Sequence, residues 1–296
     1  MCAGREAVKC RKSFFSGFFS VFSAFLLSCC ATHAALQTVY YDVSLPPEFN
    51  GRGLVIALIS DLHSDIYGKD QSPLLQRIVG ISPDIIVLAG DIFDDIAPPA
   101  GTRLLLSGIK NLLPKIPVFY VTGNHEYDSG NIGEMLGELA DFNIDVLAND
   151  YKLLESGGIP LVIAGIEDTN IQLLCPLYDT NLADVVLAEA SAYNAYKILL
   201  CHRPEIALRY ANYGFDLILS GHTHGGQVRL PPLLDGLYAP GQGLFPKYAG
   251  GLYRVGSGSI VVSRGLTTRR PLLPRIFNPP ELVVIRLGGY TNLRER

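Results

Sequence analysis

Residues 54–63 read LVIALISDLH, an unbroken apolar run that stops at Ser60 and then sets an aspartate and a histidine two residues apart. A half-buried strand would alternate apolar and polar side chains, so a continuous run this short fits a strand covered on both faces. Similar runs recur at residues 84–89, 117–122, 161–165, 196–201 and 216–220. Between several of them lie stretches of helical pattern, at 72–81, 102–113, 132–142, 182–192 and 204–210. Strands that alternate with helices predict an α/β layered domain. From residue 228 onward the helical pattern fades, and 252–255, 259–263 and 282–287 read as further strands, while a Pro-containing lead-in at 42–50 precedes the first run. With 296 residues and 48% hydrophobic content the chain can bury one large core, and a single domain over residues 36–296 is the simplest division.

Five of the six histidines fall at or just after the carboxyl ends of these strands: His63, His125, His202, His222 and His224. Asp61 and Asp91 end or follow the first two strands, and Asn124 adds an amide oxygen. In open α/β sheets, ligand sites gather beyond the carboxyl ends of the strands, where loops can turn side chains toward one crevice. Singly, each of these is as well explained by a turn or a cap. Their joint occurrence at successive strand ends points to a metal site. Imidazole, carboxylate and amide ligands without a thiolate suit Mn, Fe or Zn. No serine sits in a GxSxG setting, and Cys201 lies inside an apolar strand, so a side-chain nucleophile has no support.

The formal net charge of -4 conceals a segregation, since residues 229–296 hold 10 Lys+Arg against 3 Asp+Glu. A basic C-terminal part could face an anionic surface or scatter evenly in space. Four of the six cysteines lie in the first thirty residues and no CxxC occurs, which excludes a disulfide framework and a zinc ribbon. Arg5, Lys9, Arg11 and Lys12 precede an uncharged run, residues 13–28, with six phenylalanines. Residues 1–35 therefore read as a signal peptide or membrane anchor, with positive flanks placing the globular part on the exported side of the cytoplasmic membrane. Attachment to the cytoplasmic face is the alternative. Residues 231–253 form a long loop rich in Pro, Gly and large apolar side chains, either folded down onto its own core or forming a rim over a substrate; the residue types lean to the former.

The motifs SDLHSD, LAGDIFDD, VTGNHEYD, LLCHRPE and LSGHTHGGQVRLP, with SRGL near the end, run in order from residue 60 to residue 266. This set resembles the calcineurin-like metallophosphoesterases, and within them the bacterial YkuE/YaeI-type membrane-associated phosphodiesterase branch. The resemblance implies a metallophosphoesterase-type β-sandwich flanked by helices. It implies that Asp61, His63 and His224 hold one metal, that Asn124, His202 and His222 hold a second, and that Asp91 bridges them. It further implies that His125 contacts the scissile phosphate or leaving group and that Asp94 orients it. Glu126 departs from the aspartate common at that position. Arg264 is expected to contact substrate phosphate, whereas Arg203 could bind a substrate phosphate or pair with a surface acid and reads as the latter.

The function expected is thus a phosphoesterase with two divalent metal ions, Mn, Fe or Zn. It would hydrolyse a phosphate ester, diester or pyrophosphate by a metal-bound hydroxide. The N-terminal segment, the basic C-terminal part and the apolar loop favour a phosphorylated small-molecule or lipid substrate held at a membrane. A nucleotide or nucleic-acid phosphodiesterase is the alternative enzyme, but a pI near 5.9 without interleaved basic and aromatic residues argues against a nucleic-acid partner. A non-catalytic metal-binding module is the alternative of another class, and it is disfavoured because no residue of the ligand set is missing.

Overall fold

The computed structural model describes residues 35–49, 51–268 and 273–288. The apolar run at residues 54–59 becomes β2, Leu54–Ile59, with every residue but one buried. It sits between β14, Glu281–Leu287, which runs antiparallel to it, and β3, Ile85–Ala89, which runs parallel. β4, Val118–Val121, and β5, Asp145–Val146, extend the sheet on one side, and β1, Gln37–Val43, closes the other edge by pairing parallel to β14. A second six-stranded sheet runs in the order β12 (Gly251–Val255), β13 (Gly258–Val262), β9 (Leu217–Ser220), β8 (Tyr196–Leu200), β7 (Ile159–Gly165) and β6 (Asp150–Ser156).

Because side chains alternate across a strand, each sheet offers two faces, and here all four are used or covered. Ile56, Leu58, Val87 and Phe119 from the first sheet meet Leu161, Ile198, Leu217 and Val261 from the second, forming the layer between them. The outer face of the first sheet carries Ala57, Ile59, Ile86 and Leu88 against α1, Ser72–Ile81, and α2, Ala100–Leu112. Leu187 and Ala190 of the helix Leu182–Ser191 cover the outer face of the second sheet at Val162, Leu199 and Ile260. The result is two mixed sheets flanked by helices, as the motif resemblance implies. Double coverage explains the continuous apolar runs.

β1 and β6 are strands that an unbroken apolar run does not reveal. Both are edge strands with alternating exposure, QTVYYDV and DYKLLES, so neither shows an unbroken hydrophobic core. The helical pattern at 204–210 becomes one turn, Pro204–Ala207, followed by a 3-10 segment, Leu208–Tyr213. The 231–253 loop divides around two short antiparallel strands, β10 (Tyr238–Ala239) and β11 (Gly243–Leu244): Ala239, Tyr248 and Ala249 are buried, while Leu233, Leu244 and Phe245 are exposed. Among the described residues no helix is long and apolar enough to cross a membrane. The apolar N-terminal run at 13–28 lies outside the described residues.

Candidate metal centre

The parallel strands of both sheets deliver their carboxyl ends to one crevice. Asp61 and His63 follow β2, Asp91 follows β3, His202 follows β8, and His222 and His224 follow β9, while Asn124 opens the short helix Asn124–Asp128 after β4. Asp61, His63, Asp91, His222 and His224 all take left-handed backbone, with φ of 50°, 47°, 51°, 71° and 47°. Each such residue costs on the order of 1 kcal/mol, so five around one crevice mark a site that the surrounding fold holds against local preference. Space for the carboxylates is left by glycine. A Cβ at Gly123 would lie 2.2 Å from Asp91 Oδ1, and one at Gly221 would lie 2.5 Å from Asp61 Oδ2.

Among the described residues four groups of ligand atoms result, two of which include His125: His63–Asp91–His125 and Asp94–Asp95–His125. Those of Asp61, His63 and His224 lie within 4.8 Å of one another, as do those of Asp91, His202 and His222. Asp91 Oδ2 stands between these last two groups, 3.8 Å from His63 Nε2 and 3.0 Å from His202 Nε2. His202 Nδ1 lies 2.7 Å from the Ala89 carbonyl, which can only accept, so Nδ1 carries a proton and Nε2 is turned toward Asp91, as a second N–H in the charged ring or as the lone pair that a metal ion would take. Nε2 makes no aligned hydrogen bond despite the 3.0 Å approach. Nε2 held this close to a carboxylate oxygen calls for positive charge between them, a proton on the ring or, in its place, a metal ion. His63 Nε2 and Asn124 Oδ1 are also buried without a hydrogen-bond partner among the described residues, and these donor types fit a divalent ion of the Mn, Fe or Zn kind.

The electrostatics carry the same demand. Burial opposes charging of His202, but Asp91 and Asp61 beside it override burial and lift the ring to about 10. Burial pushes Asp61 up, with His202 opposing and Asp91 adding. Asp91 itself is held well below the usual carboxylate range, because His202 and His63 outweigh its burial. His222 and His224 go the other way: burial, reinforced by His202 and Arg203 at one ring and by His63 and Arg275 at the other, keeps both far below the imidazole range. Both stay neutral with a lone pair to offer, while Asp61, raised by its burial, lacks the positive charge that would settle it.

Residues 54–226 match the calcineurin-like phosphoesterase family. The chain belongs to it. It is 31% identical over 242 residues to the uncharacterized metallophosphoesterase YkuE of Bacillus subtilis, covering 79% of each chain. To the transmembrane protein with metallophosphoesterase domain of Bos taurus it is 31% identical over 224 residues, covering 69% of this chain and 49% of the other. The solved NAD nucleotidase (NadN) of Haemophilus influenzae superposes with a TM-score of 0.48 at 20% identity, over 77% of this chain and 46% of that one.

The acid beside His125 in this calcineurin-like phosphoesterase differs from the one expected. His125 Nδ1 lies 2.8 Å from Asp95 Oδ1, whereas Asp94 Oδ2 lies 3.4 Å from His63 Nδ1. Asp94 Oδ1 accepts from the Ile96 and Ala97 amides, a turn that aims its other oxygen at the metal side and leaves the next residue to face His125. His125 stacks edge-on against His63 with ring centroids 4.3 Å apart, which sets it at the mouth of the ligand cluster.

Both arginines singled out in the sequence pair with buried acids. Arg264 Nε donates to Glu281 Oε2 at 2.7 Å, and because Glu281 is wholly buried it requires that counter-charge inside the fold. Arg203 does pair with an acid, but the acid is the buried Asp168 rather than a surface group, and the guanidinium lies beside His222. Asp168 ends the segment after β7, a strand end whose acid the sequence offers as readily as Asp91.

Glu126 carries more than its sequence position suggests. Its carboxylate accepts from the backbone N–H of Asp91, Ile92, Phe93 and Gly123 at 2.8 to 3.1 Å, tying the turn after β3 to the turn after β4. A glutamate three residues after a helix-capping position is a recognisable signal for such a bond. Glu126→Ala leaves these donors without an acceptor, at about 1–3 kcal/mol each when water cannot replace it. We expect a loss of about 3 kcal/mol or more, a fall in Tm of roughly 6–12 °C. Thermal unfolding of the variant checks this, and a shift under about 2 °C refutes it.

Proposed function

We propose that the chain is a phosphoesterase working with two divalent ions, one in the Asp61–His63–His224 group and one in the Asp91–His202–His222 group, with Asn124 completing the second. The single observation that carries this reading is Asp91 Oδ2, which faces a histidine of each group at once. Two ions so held would neutralise phosphoryl oxygens and activate water for an in-line displacement. The residues of the chain then have separate tasks. His125, steadied by Asp95, stands where it can hold or deliver a proton to the leaving oxygen. Glu126 and the glycines keep the carboxylates in place.

For the substrate we propose a phosphate or pyrophosphate carried on a lipid or another membrane-borne group. Six large apolar side chains among the described residues are between 66% and 96% exposed: Ile96, Leu173, Leu177, Leu233, Leu244 and Phe245. All six lie in the segments that follow β3, β7 and β9 in the chain. Exposed apolar side chains in segments that leave such strand ends favour an apolar substrate body or a bilayer surface. The transmembrane name of the Bos taurus relative supports the same setting. The basic residues before the N-terminal apolar run favour the exported side of the membrane. A reporter fused after Arg296 tests the side, since alkaline phosphatase activity requires export.

The enzyme reading is tested with purified, Mn-loaded protein on bis(p-nitrophenyl) phosphate and on a phospholipid-linked phosphate ester in vesicles. Elemental analysis should find close to two ions per chain, and both substrates should be cleaved. Leu233→Ser with Phe245→Ser should lower the ratio of vesicle-borne to soluble turnover about tenfold or more, for a loss of some 2–3 kcal/mol of apolar burial. At most one ion bound would sink the two-ion proposal, and an unchanged ratio would sink the lipid one.

A further inference from the structure

Arg203 is held more tightly than a surface ion pair needs, and from one side only. Its Nε and Nη2 donate to the two oxygens of Asp168 at 2.6 and 3.0 Å, and Nη2 also reaches Asn170 Oδ1 at 3.0 Å. Asp168 is fully buried at its side chain, its amide donates to Thr122 Oγ1, and Asn170 is in turn anchored on Asp128. The planar guanidinium is therefore locked by one edge. Its remaining nitrogen, Nη1, lies 3.5 Å from His222 Nε2.

That contact cannot satisfy Nη1 when the centre is loaded, a step that rests on the two-ion reading. If His222 binds an ion through Nε2, the lone pair is in use. If it binds through Nδ1, the neutral ring carries its proton on Nε2 and offers Nη1 nothing to donate to. Either way the Nη1 donors are left facing the ligand cluster, fixed in direction and beside a metal-binding imidazole. We propose that Arg203 is a substrate-contacting residue, whose Nη1 donates to an oxygen of the bound phosphoryl group, with Asp168 and Asn170 as its positioning residues. Arginine rather than lysine is the residue required, because its planar fork can pair with Asp168 through Nε and Nη2 and still aim Nη1 at the phosphoryl group, which a single ammonium nitrogen cannot do.

Inorganic phosphate serves as the probe, with Mn-loaded full-length protein. Arg203→Gln should weaken phosphate binding about 10- to 100-fold, the worth of a charge-assisted hydrogen bond, by calorimetry and as a competitive inhibitor of diester hydrolysis. Metal content should stay at the wild-type level, and Arg203→Lys should recover only part of the affinity. Because Arg203→Gln leaves Asp168 buried and unpaired, the double variant Arg203→Gln with Asp168→Asn removes that charge and should show the same loss of phosphate affinity in a folded protein. Phosphate affinity within about twofold of wild type in either folded variant overturns the proposal. So does a loss of metal in both variants, because Arg203 would then be serving His222 rather than substrate. If the wild type binds phosphate through Arg203 yet cleaves no ester, the phosphoesterase reading fails while this one stands.

Discussion

Asp91→Ala is expected to strip the centre of both ions and to abolish hydrolysis. Its Oδ2 is the atom that His63 and His202 both face, and its Oδ1 accepts the His125 amide at 2.9 Å. Alanine therefore removes a ligand from each half and loosens the turn that holds Asn124 and His125. It also removes the anion that lifts His202, whose ring then falls toward the range that burial imposes. Asp91→Asn keeps an oxygen for the His125 amide and separates the two effects: the turn should survive while the metals are lost. Elemental analysis and diester hydrolysis on the same preparations decide the matter. An alanine variant that still holds two ions would show that Asp91 does not join the halves.

His125→Ala should leave the metal content intact and lower kcat by about 100- to 10,000-fold, the range that general acid–base help supplies. The adjacent aspartates then sort by what they touch. Asp95→Asn weakens the partner of His125 Nδ1, so turnover should fall with the metals still in place. Asp94→Asn weakens the partner of His63 Nδ1, and loss of such an outer partner costs about 10- to 100-fold in metal affinity. Metal titrations and kcat measured for both variants test the division. If Asp94→Asn lowered turnover at saturating metal while Asp95→Asn did nothing, the sequence-derived assignment of Asp94 would be restored.

Most of the centre is legible in the chain because its parts are local. A strand buried on both faces must be apolar throughout, so its end is visible where polar residues begin, and Asp61, Asp91 and His222 stand within two residues of that point. The features that escape a sequence reading have a weaker local mark. β1 and β6 have one solvent-facing side and alternate, and the acid at the end of β7 lacks a histidine beside it.

The sequence by itself determined which residue types stand at the strand ends, because a buried strand shows where its apolar run stops, and the motifs at those ends carried the resemblance that implied the family and the donor set. Only the tertiary structure decided which of two adjacent aspartates serves His125 and which serves His63. Side-chain direction there depends on a turn whose amides hold Asp94, and spacing along the chain does not encode it. The same holds for the two arginines: Glu281 and Asp168, buried acids far off in sequence, each draw one guanidinium, and burial makes those pairings obligatory. A buried charge selects its partner by proximity in space. That is the reason Arg264 turns to Glu281 and Arg203 lies beside the candidate ligand cluster.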